Sequence, residues 1–129
     1  MDSLTAKRIT PDEDSVKSLL KASKSKLLSQ ERLELDDVTA TSKFSLAYDS
    51  LREVLEALAI RKGYKIYNHE CYTYFLKEII GESSKGDDFD AIRKIRIAVN
   101  YYGKELKPQQ AEMLIKQIKE LRNFAVNMI

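Results

Sequence analysis

Apolar residues recur at steps of three and four along most of this chain, which is the period expected of amphipathic helices. The pattern is clearest over residues 38–62, where Asp36 or Asp37 can cap the start and Gly63 follows as a helix-ending glycine. Its apolar stripe consists of Phe44, Ala47, Tyr48, Leu51, Val54, Leu55, Leu58 and Ala59. We predict that this second helix is the central packing element of the fold.

A second regular pattern covers residues 87–107 and predicts another helix. Its apolar stripe consists of Phe89, Ile92, Ile95, Val99, Tyr102 and Leu106. Polar residues follow the same steps on the neighbouring face, and they are Arg93, Arg96 and Asn100. Acidic residues near the start and lysines near the end suit the helix dipole. Pro108 requires the helix to end at or before residue 107, and Gly103 offers an earlier end.

Shorter patterns predict three more helices. The first should begin after Thr10, which can cap it, and should run to about Gln30 or a little beyond. A third helix is expected over residues 69–80, followed by a flexible loop over residues 81–86. The fifth helix starts at Pro108. Its buried stripe is expected to consist of Leu114, Ile118, Leu121, Ala125 and Met128.

The remaining segments complete the prediction of the fold. Residues 1–9 should be loose and residues 63–68 should form a connection, because neither segment shows the alternation of a β-strand. The length of 129 residues fits one domain, and 4 Gly and 2 Pro are too few for a fold with many tight turns. We therefore predict a single all-α domain over residues 1–129, built as an up-and-down bundle of four to five helices.

Composition excludes several classes of protein. Lys and Arg number 22 and Asp and Glu number 20, so a net charge of +2 does not by itself indicate a nucleic-acid binder. The single cysteine, Cys71, excludes an internal disulfide and is typical of a reducing cytosol. No apolar run approaches the roughly 18 residues of a membrane span, and the first residues lack the apolar core of a signal peptide. We expect a cytoplasmic protein with no membrane partner.

Candidate chemistry is confined to a few polar residues. The chain has no Gly-rich phosphate loop and no Cys/His spacing typical of a metal site, so we expect no cofactor and no metal. The guanidinium of Arg96, on a helix that otherwise faces the core, needs a partner. It could reach water, pair with an acid such as Glu53 or Glu56, or bind an incoming phosphate. His69, the single histidine, stands at a predicted helix start and is a candidate for a structural or a catalytic role.

Residues 40–106 resemble the HEPN domain, the nucleotide-binding fold of higher eukaryotes and prokaryotes. The residues that carry the resemblance are Ala47, Tyr48, Leu55, Glu56, Ala57, Leu58, Gly63, His69 and the run Arg96–Gly103. The resemblance implies a helical bundle that forms a homodimer with its motif helices facing each other. It also implies RNA or a nucleotide as ligand and, in some members, a small nucleotidyltransferase as partner in a toxin–antitoxin pair.

The chain departs from the family's active motif. Many HEPN domains are metal-independent ribonucleases whose motif is an arginine, four to six residues and a histidine. Arg96 matches the arginine, but Tyr101 stands at the position of the histidine, and Asn100–Tyr101 resembles a sub-group with Asp-Tyr three residues after the arginine. An unperturbed tyrosine titrates near ~10 and is a poor base at neutral pH. Loss of a general acid or base typically costs about 10²–10⁴-fold in rate.

We therefore expect a non-catalytic, homodimeric binding module for RNA, a nucleotide or a partner protein. Its ligand-binding candidates are Arg93, Arg96, Asn100, Tyr101 and Lys104. The alternative is a metal-independent endoribonuclease in which Arg96 holds the phosphate while Tyr101 or His69 moves protons. A third hypothesis is purely structural, with Arg96 held in a buried ion pair and no ligand.

Overall fold

The structure, a computed structural model, describes residues 6–129 and contains five helices and one two-stranded sheet within that range. The helices are α1 (Glu13–Arg32), α2 (Ala40–Arg61), α3 (Glu70–Tyr74), α4 (Ser83–Tyr101) and α5 (Pro108–Asn127). A π-helical segment, Phe75–Ile79, continues α3, and the strands are β1 (Ala6–Arg8) and β2 (Tyr64–Ile66). The predicted all-α bundle of four to five helices is therefore confirmed.

Helix α2 lies at the centre of the core, as its pattern predicts. Every residue of its predicted apolar stripe is buried. Phe89 and Ile92 of α4 and Ile118 and Leu121 of α5 pack into the same cluster. Burial of these apolar side chains supplies the main driving force for the bundle. Within residues 6–129, no helix combines the length and the apolar character needed to cross a membrane.

Helices α1 and α2 run antiparallel, because the start of each lies beside the end of the other. Glu13 Oε2 of α1 is 2.7 Å from Arg61 Nη2 of α2. At the opposite end, the buried ammonium of Lys43 donates hydrogen bonds to the carbonyl oxygens of Gln30 and of Leu33, the latter at 2.7 Å. The last carbonyl groups of an α-helix lack the usual N–H partner four residues on, and here the Gln30 carbonyl also accepts a hydrogen bond from Leu33 N at 3.3 Å. A side chain of α2 therefore completes the end of α1.

The midpoints of α1 and α2 interlock through two serines, which are small enough for the backbones to approach closely. Ser23 Oγ donates to the Ser50 carbonyl at 2.7 Å, and Ser50 Oγ donates to the Ser23 carbonyl at 2.8 Å. Arg122 Nε of α5 donates to both hydroxyl oxygens, at 3.1 and 3.0 Å. At the far end of α5, the Phe124 ring lies 5.4 Å from Lys85 Nζ near the start of α4, so α4 and α5 run antiparallel.

The start of α1 differs from the prediction. The capping residue is Asp12 rather than Thr10, because the Asp12 carboxylate accepts hydrogen bonds from the backbone N–H groups of Asp14 and Ser15 at 3.1 and 3.3 Å. Aspartate is a stronger N-cap residue than threonine, which accounts for the difference. The end of the helix, at Arg32, agrees with the predicted end a little beyond Gln30.

Helix α2 begins two residues later than predicted, at Ala40 rather than at residue 38. The Asp36 carboxylate accepts hydrogen bonds from the backbone N–H groups of Val38 and Thr39, at 2.8 and 2.9 Å. These bonds hold a turn that precedes the helix. The N-cap residue of α2 is Thr39, with no capping hydrogen bond from a side chain, so neither Asp36 nor Asp37 caps the helix itself.

The predicted absence of strands is wrong for two short segments. Ala6–Arg8 pairs antiparallel with Tyr64–Ile66, with Ala6 opposite Ile66. Three-residue strands are too short to show an alternating pattern, and their pairing joins parts of the chain that are far apart in sequence. Gly63 has φ of 89°, and its carbonyl accepts a hydrogen bond from Ile9 N at 2.9 Å. The part of the predicted loose start that lies in residues 1–5 falls outside the described residues.

The expected flexible loop over residues 81–86 is also wrong, since α4 begins at Ser83 instead of residue 87. Gly81, with φ of 80°, ends the preceding helical segment, but Gly86 lies inside α4. A Cβ atom at Gly86 would lie 2.5 Å from Lys77 Cγ and 3.0 Å from the Thr73 carbonyl oxygen. The glycine therefore serves close packing of α4 against the preceding helical segment rather than flexibility.

The second half of α4 corrects the predicted stripe. The helix ends at Tyr101, and Gly103 with φ of 65° follows, so the earlier of the two predicted ends is the actual one. Tyr102 is 80% exposed and does not join the core. Leu106 is buried, but it lies in the segment after the helix. Met128, expected in the stripe of α5, is exposed beyond the end of that helix.

Candidate functional site

A pocket of about 360 Å³ lies between α2, α4 and the start of α3. Its lining residues are Tyr48 and Asp49 of α2, Asn68, His69 and Glu70 at the start of α3, and Arg93, Arg96, Ile97, Asn100 and Tyr101 of α4. Five of the sequence candidates therefore line one pocket, including His69, which is 27 residues before Arg96 in the chain. Lys104 is not among the lining residues, and it is exposed beyond the end of α4. We call this cavity the Arg96 pocket.

The guanidinium of Arg96 has partners on three sides. Nη1 donates a hydrogen bond to Asn100 Oδ1 one turn further along α4. Nη2 lies 3.6 Å from Asp49 Oδ1 of α2. The guanidinium carbon lies 5.8 Å from the centre of the Tyr48 ring, within the range of a cation–π contact. Nε is buried and has no hydrogen-bond partner within residues 6–129.

The acidic partner of Arg96 is therefore Asp49, and the expectation of Glu53 or Glu56 is wrong. Glu53 accepts a hydrogen bond from Lys26 of α1 at 2.8 Å. Glu56 pairs with Arg52 at 2.9 Å, one turn before it on the same helix. Both glutamates pair with other cations, so their charges are already balanced elsewhere.

Arg93 is held more tightly than Arg96. Its Nε and Nη2 atoms donate to Asp90 Oδ1 at 3.1 and 2.8 Å, and Thr73 Oγ1 donates to the same oxygen at 3.2 Å. Partial burial acts to raise the pKa of Asp90, but hydrogen bonds from Arg93 and Lys94 outweigh it and hold that pKa below its ordinary value. Arg93 thus contributes charge to the pocket while its hydrogen bonds are directed at Asp90.

His69 faces Tyr48 across the pocket. The Tyr48 hydroxyl oxygen lies 3.3 Å from His69 Nδ1, and the two ring centres are 6.1 Å apart. Partial removal of water and the nearby Arg52 cation lower the pKa of His69 below 6.5, so its imidazole is neutral at pH 7. Burial raises the pKa of Tyr48 to about 12, so its hydroxyl keeps its proton. A neutral imidazole beside a neutral phenol can accept a proton from an incoming group.

The rim of the pocket carries an exposed aromatic side chain. Tyr101 is the last residue of α4, and 77% of its surface is exposed. Asn100, one residue earlier, places its amide oxygen against Arg96. Tyr101, which the resemblance places at the position of the family's histidine, is thus a solvent-facing phenol.

Sequence reasoning missed two residues that shape this site. Tyr48 was expected only in the core, and it is 1% exposed, yet it lines the pocket. Asp49 was not considered. The available signal was an acid one position beside the apolar stripe of α2, but its partner lies on α4, so only the packing of the two helices identifies it.

The pocket shows no arrangement typical of a metal centre. Across residues 6–129, no group of three or more histidine, cysteine, aspartate or glutamate side chains is arranged to hold a metal ion. The chemistry that these residues offer is that of guanidinium, imidazole, phenol, amide and carboxylate groups.

No protein-family model, curated protein or solved structure matches this chain. The HEPN resemblance therefore rests on the residues quoted for it.

Proposed function

We propose that the Arg96 pocket binds a phosphate group of RNA or of a nucleotide, and that the protein acts as a non-catalytic, HEPN-like binding module. The observation that carries the proposal is the state of Arg96. Its guanidinium lines an open pocket, and its acidic partner stands 3.6 Å from Nη2, beyond hydrogen-bond distance. A guanidinium with unused donors is well suited to phosphate oxygens, which it can bind in pairs.

The neighbours of Arg96 support this choice of ligand. Arg93 adds a second positive charge to the wall of the pocket, and Asp90 fixes its position. The exposed ring of Tyr101 at the rim can stack on a base, a contact that every nucleobase allows. A phosphate on Arg96 and a base on Tyr101 would together use the charged wall and the aromatic rim.

Binding without catalysis is favoured by Tyr101. Cleavage of RNA by its own 2′-hydroxyl requires a group that accepts the proton of that hydroxyl and a group that gives one to the leaving oxygen. Tyrosine at the motif position is a poor base at neutral pH. Arg96 alone would stabilise the charge of the phosphate without moving a proton.

Fluorescence anisotropy with a labelled single-stranded RNA and with a labelled ATP, both in EDTA, tests this proposal. We expect Arg96→Ala to weaken binding by about 1.5–3 kcal/mol, or about 10- to 150-fold, because a charge-assisted contact is lost. Tyr101→Phe keeps the stacking ring and should bind like the unmodified protein. Lys21→Ala removes one charge from the exposed face of α1 and serves as the control. Equal losses for Arg96→Ala and Lys21→Ala would contradict the proposal, because they would reflect net charge alone.

A second candidate function, a metal-independent endoribonuclease, is favoured by the place of His69. Its neutral imidazole lies in the same pocket as Arg96 and could take the proton of a 2′-hydroxyl. That oxygen would bond to phosphorus as the bond to the 5′ oxygen breaks, and the protonated imidazole would return the proton to the leaving oxygen. Cleavage of single-stranded RNA in EDTA, lost in both His69→Asn and Arg96→Ala but kept in Tyr101→Phe, would establish this activity in place of simple binding.

The proposal includes assembly with other chains. The resemblance to HEPN domains suggests a homodimer and, as a further partner, a small nucleotidyltransferase in a toxin–antitoxin pair. The exposed Tyr101 and Tyr102 at the end of α4 support a contact between chains at this helix. A nucleotidyltransferase gene beside the gene of this protein, and co-purification of the two products, would support the second partner.

A further inference from the structure

The contact between Asp49 and Arg96 differs from the other ion pairs of the molecule. In the rest of residues 6–129, the side-chain ion pairs have nitrogen–oxygen distances of 2.5–3.3 Å. Asp49 Oδ1 lies 3.6 Å from Arg96 Nη2, which is beyond hydrogen-bond distance. The carboxylate is therefore close enough to balance the charge of the guanidinium without satisfying its donors.

The surroundings explain why Asp49 stands there. The Arg96 side chain is only 17% exposed, and a guanidinium with so little water around it requires a nearby negative charge. Arg93 has its own acid, Asp90, so the two guanidinium groups do not share a partner. Asp49 is 34% exposed at the side chain, so it can turn towards water when another anion takes its place.

We propose that Asp49 is an internal competitor of the ligand: its carboxylate occupies the side of Arg96 that a phosphate takes, and binding displaces it. This inference rests on the proposed binding of phosphate by Arg96. In the empty pocket, one carboxylate balances one guanidinium. An arriving phosphate would place two anions on that guanidinium, so Asp49 must rotate away, and the repulsion lowers the affinity of the ligand. The same carboxylate excludes weak anions that offer no better hydrogen bonds than it does.

The substitution Asp49→Asn tests this role, because it keeps the shape of the side chain and removes its charge. The probe is the single-stranded RNA oligonucleotide used above, followed by anisotropy. We expect binding to tighten by about tenfold, since the competing charge beside Arg96 is gone. Asp49→Glu keeps the charge and should not tighten binding. Thermal melts of each variant check folding, and Asp49→Ser replaces Asp49→Asn if the latter does not fold.

Two controls separate direct competition from a general change of charge. Glu70→Gln removes another negative charge from the lining of the pocket, and Glu70 forms no ion pair with Arg96. This variant should tighten binding clearly less than Asp49→Asn. In a protein that already carries Arg96→Ala, the change Asp49→Asn should not tighten RNA binding, because the guanidinium for which Asp49 and the RNA compete is absent. The inference would be overturned if Glu70→Gln tightened RNA binding as much as Asp49→Asn does. It would also be overturned if Asp49→Asn still tightened binding in the protein that carries Arg96→Ala.

The outcomes also distinguish this inference from the proposed function. If the unmodified protein binds RNA through Arg96 and Asp49→Asn does not tighten that binding, the role of Asp49 is wrong and the proposed function stands. If neither the unmodified protein nor Asp49→Asn binds the RNA, the proposed function fails and the competition fails with it.

Discussion

His69 is the only histidine of the chain, so its titration can be followed without assigning neighbouring signals. We predict a pKa below 6.5 for its imidazole, because partial burial and the Arg52 cation disfavour the charged form. Arg52→Gln should raise this pKa, since it removes a cation and frees the carboxylate of Glu56, which favours the protonated ring. Proton NMR of the imidazole ring across pH 4–9 measures both values. Lys21→Gln, on the exposed face of α1, should leave the pKa unchanged.

The same titration has a consequence for stability. Because the fold lowers the pKa of His69, the unfolded chain binds the proton more readily near pH 6. The contribution of neutral His69 to stability is present above the unfolded value of about 6.5, and it is lost as the pH falls through the folded value. A folded pKa above 6.5 would reverse this sign and would place His69 closer to Asp49 and Glu56 than to the arginines.

At the scale of single residues, the sequence predicts which side chains share a helix face but not which partners they meet. Arg93, Arg96 and Asn100 recur at helical spacing, and all three line one pocket. The acid that faces Arg96 could not be predicted in the same way. Asp49 meets it because α2 and α4 pack at that point, and this packing depends on the whole bundle.

At the scale of elements, Gly86 offers a direct test of the contact between α4 and the segment before it. A glycine-to-alanine change inside a helix normally stabilises it by about 1 kcal/mol. We predict that Gly86→Ala instead destabilises the protein, by about 1–3 kcal/mol, because the new Cβ would lie 3.0 Å from the Thr73 carbonyl and 2.5 Å from Lys77 Cγ. Urea unfolding measures the difference.

The matched control for this change is Ser84→Ala, two residues earlier in α4 at an exposed position. It should change the free energy of unfolding by less than about 0.5 kcal/mol. If Gly86→Ala stabilised the protein, the close approach of the two helices at this point would be absent in solution.

The elements show where local patterns succeed and where they do not. The stripe of α2 was predictable because eight apolar positions repeat the same period and all of them are buried. The start of α4 was not predictable in this way, because a segment rich in glycine and serine is typical of a loop. The close packing of Gly86 against Thr73 favours a helix at this position. A contact of this kind produces no periodic pattern in the sequence, so it could not be predicted.

At the scale of the whole molecule, the exposed end of α4 bears on the oligomeric state of the protein. Tyr101 and Tyr102 are 77% and 80% exposed at the end of α4, which is a large aromatic surface at one place. We predict a homodimer at micromolar concentration, with twice the chain mass of 14.9 kDa by light scattering. Tyr102→Ser should shift the protein towards the monomer, whereas Met113→Ser, at an exposed position of α5, should not.

A mass of 14.9 kDa across the micromolar range would rule out this dimer. The bundle itself does not depend on the result, since its fold class follows from the helical period and from the burial of α2. Assembly has no comparable signal in a single sequence, because exposed aromatic residues at a helix end become visible only when the end of the helix is known.

The ammonium of Lys43 reinforces an end of α1 that Leu33 N also marks, by donating to the Gln30 carbonyl at 3.3 Å. The carbonyl oxygens of Gln30 and Leu33 receive hydrogen bonds from α2, across a connection that the two helices enclose. Part of the hydrogen bonding at the end of α1 thus depends on a side chain of the next helix. We expect a peptide of α1 alone to fray more at this end than the helix does in the whole protein, because it lacks the two hydrogen bonds from Lys43.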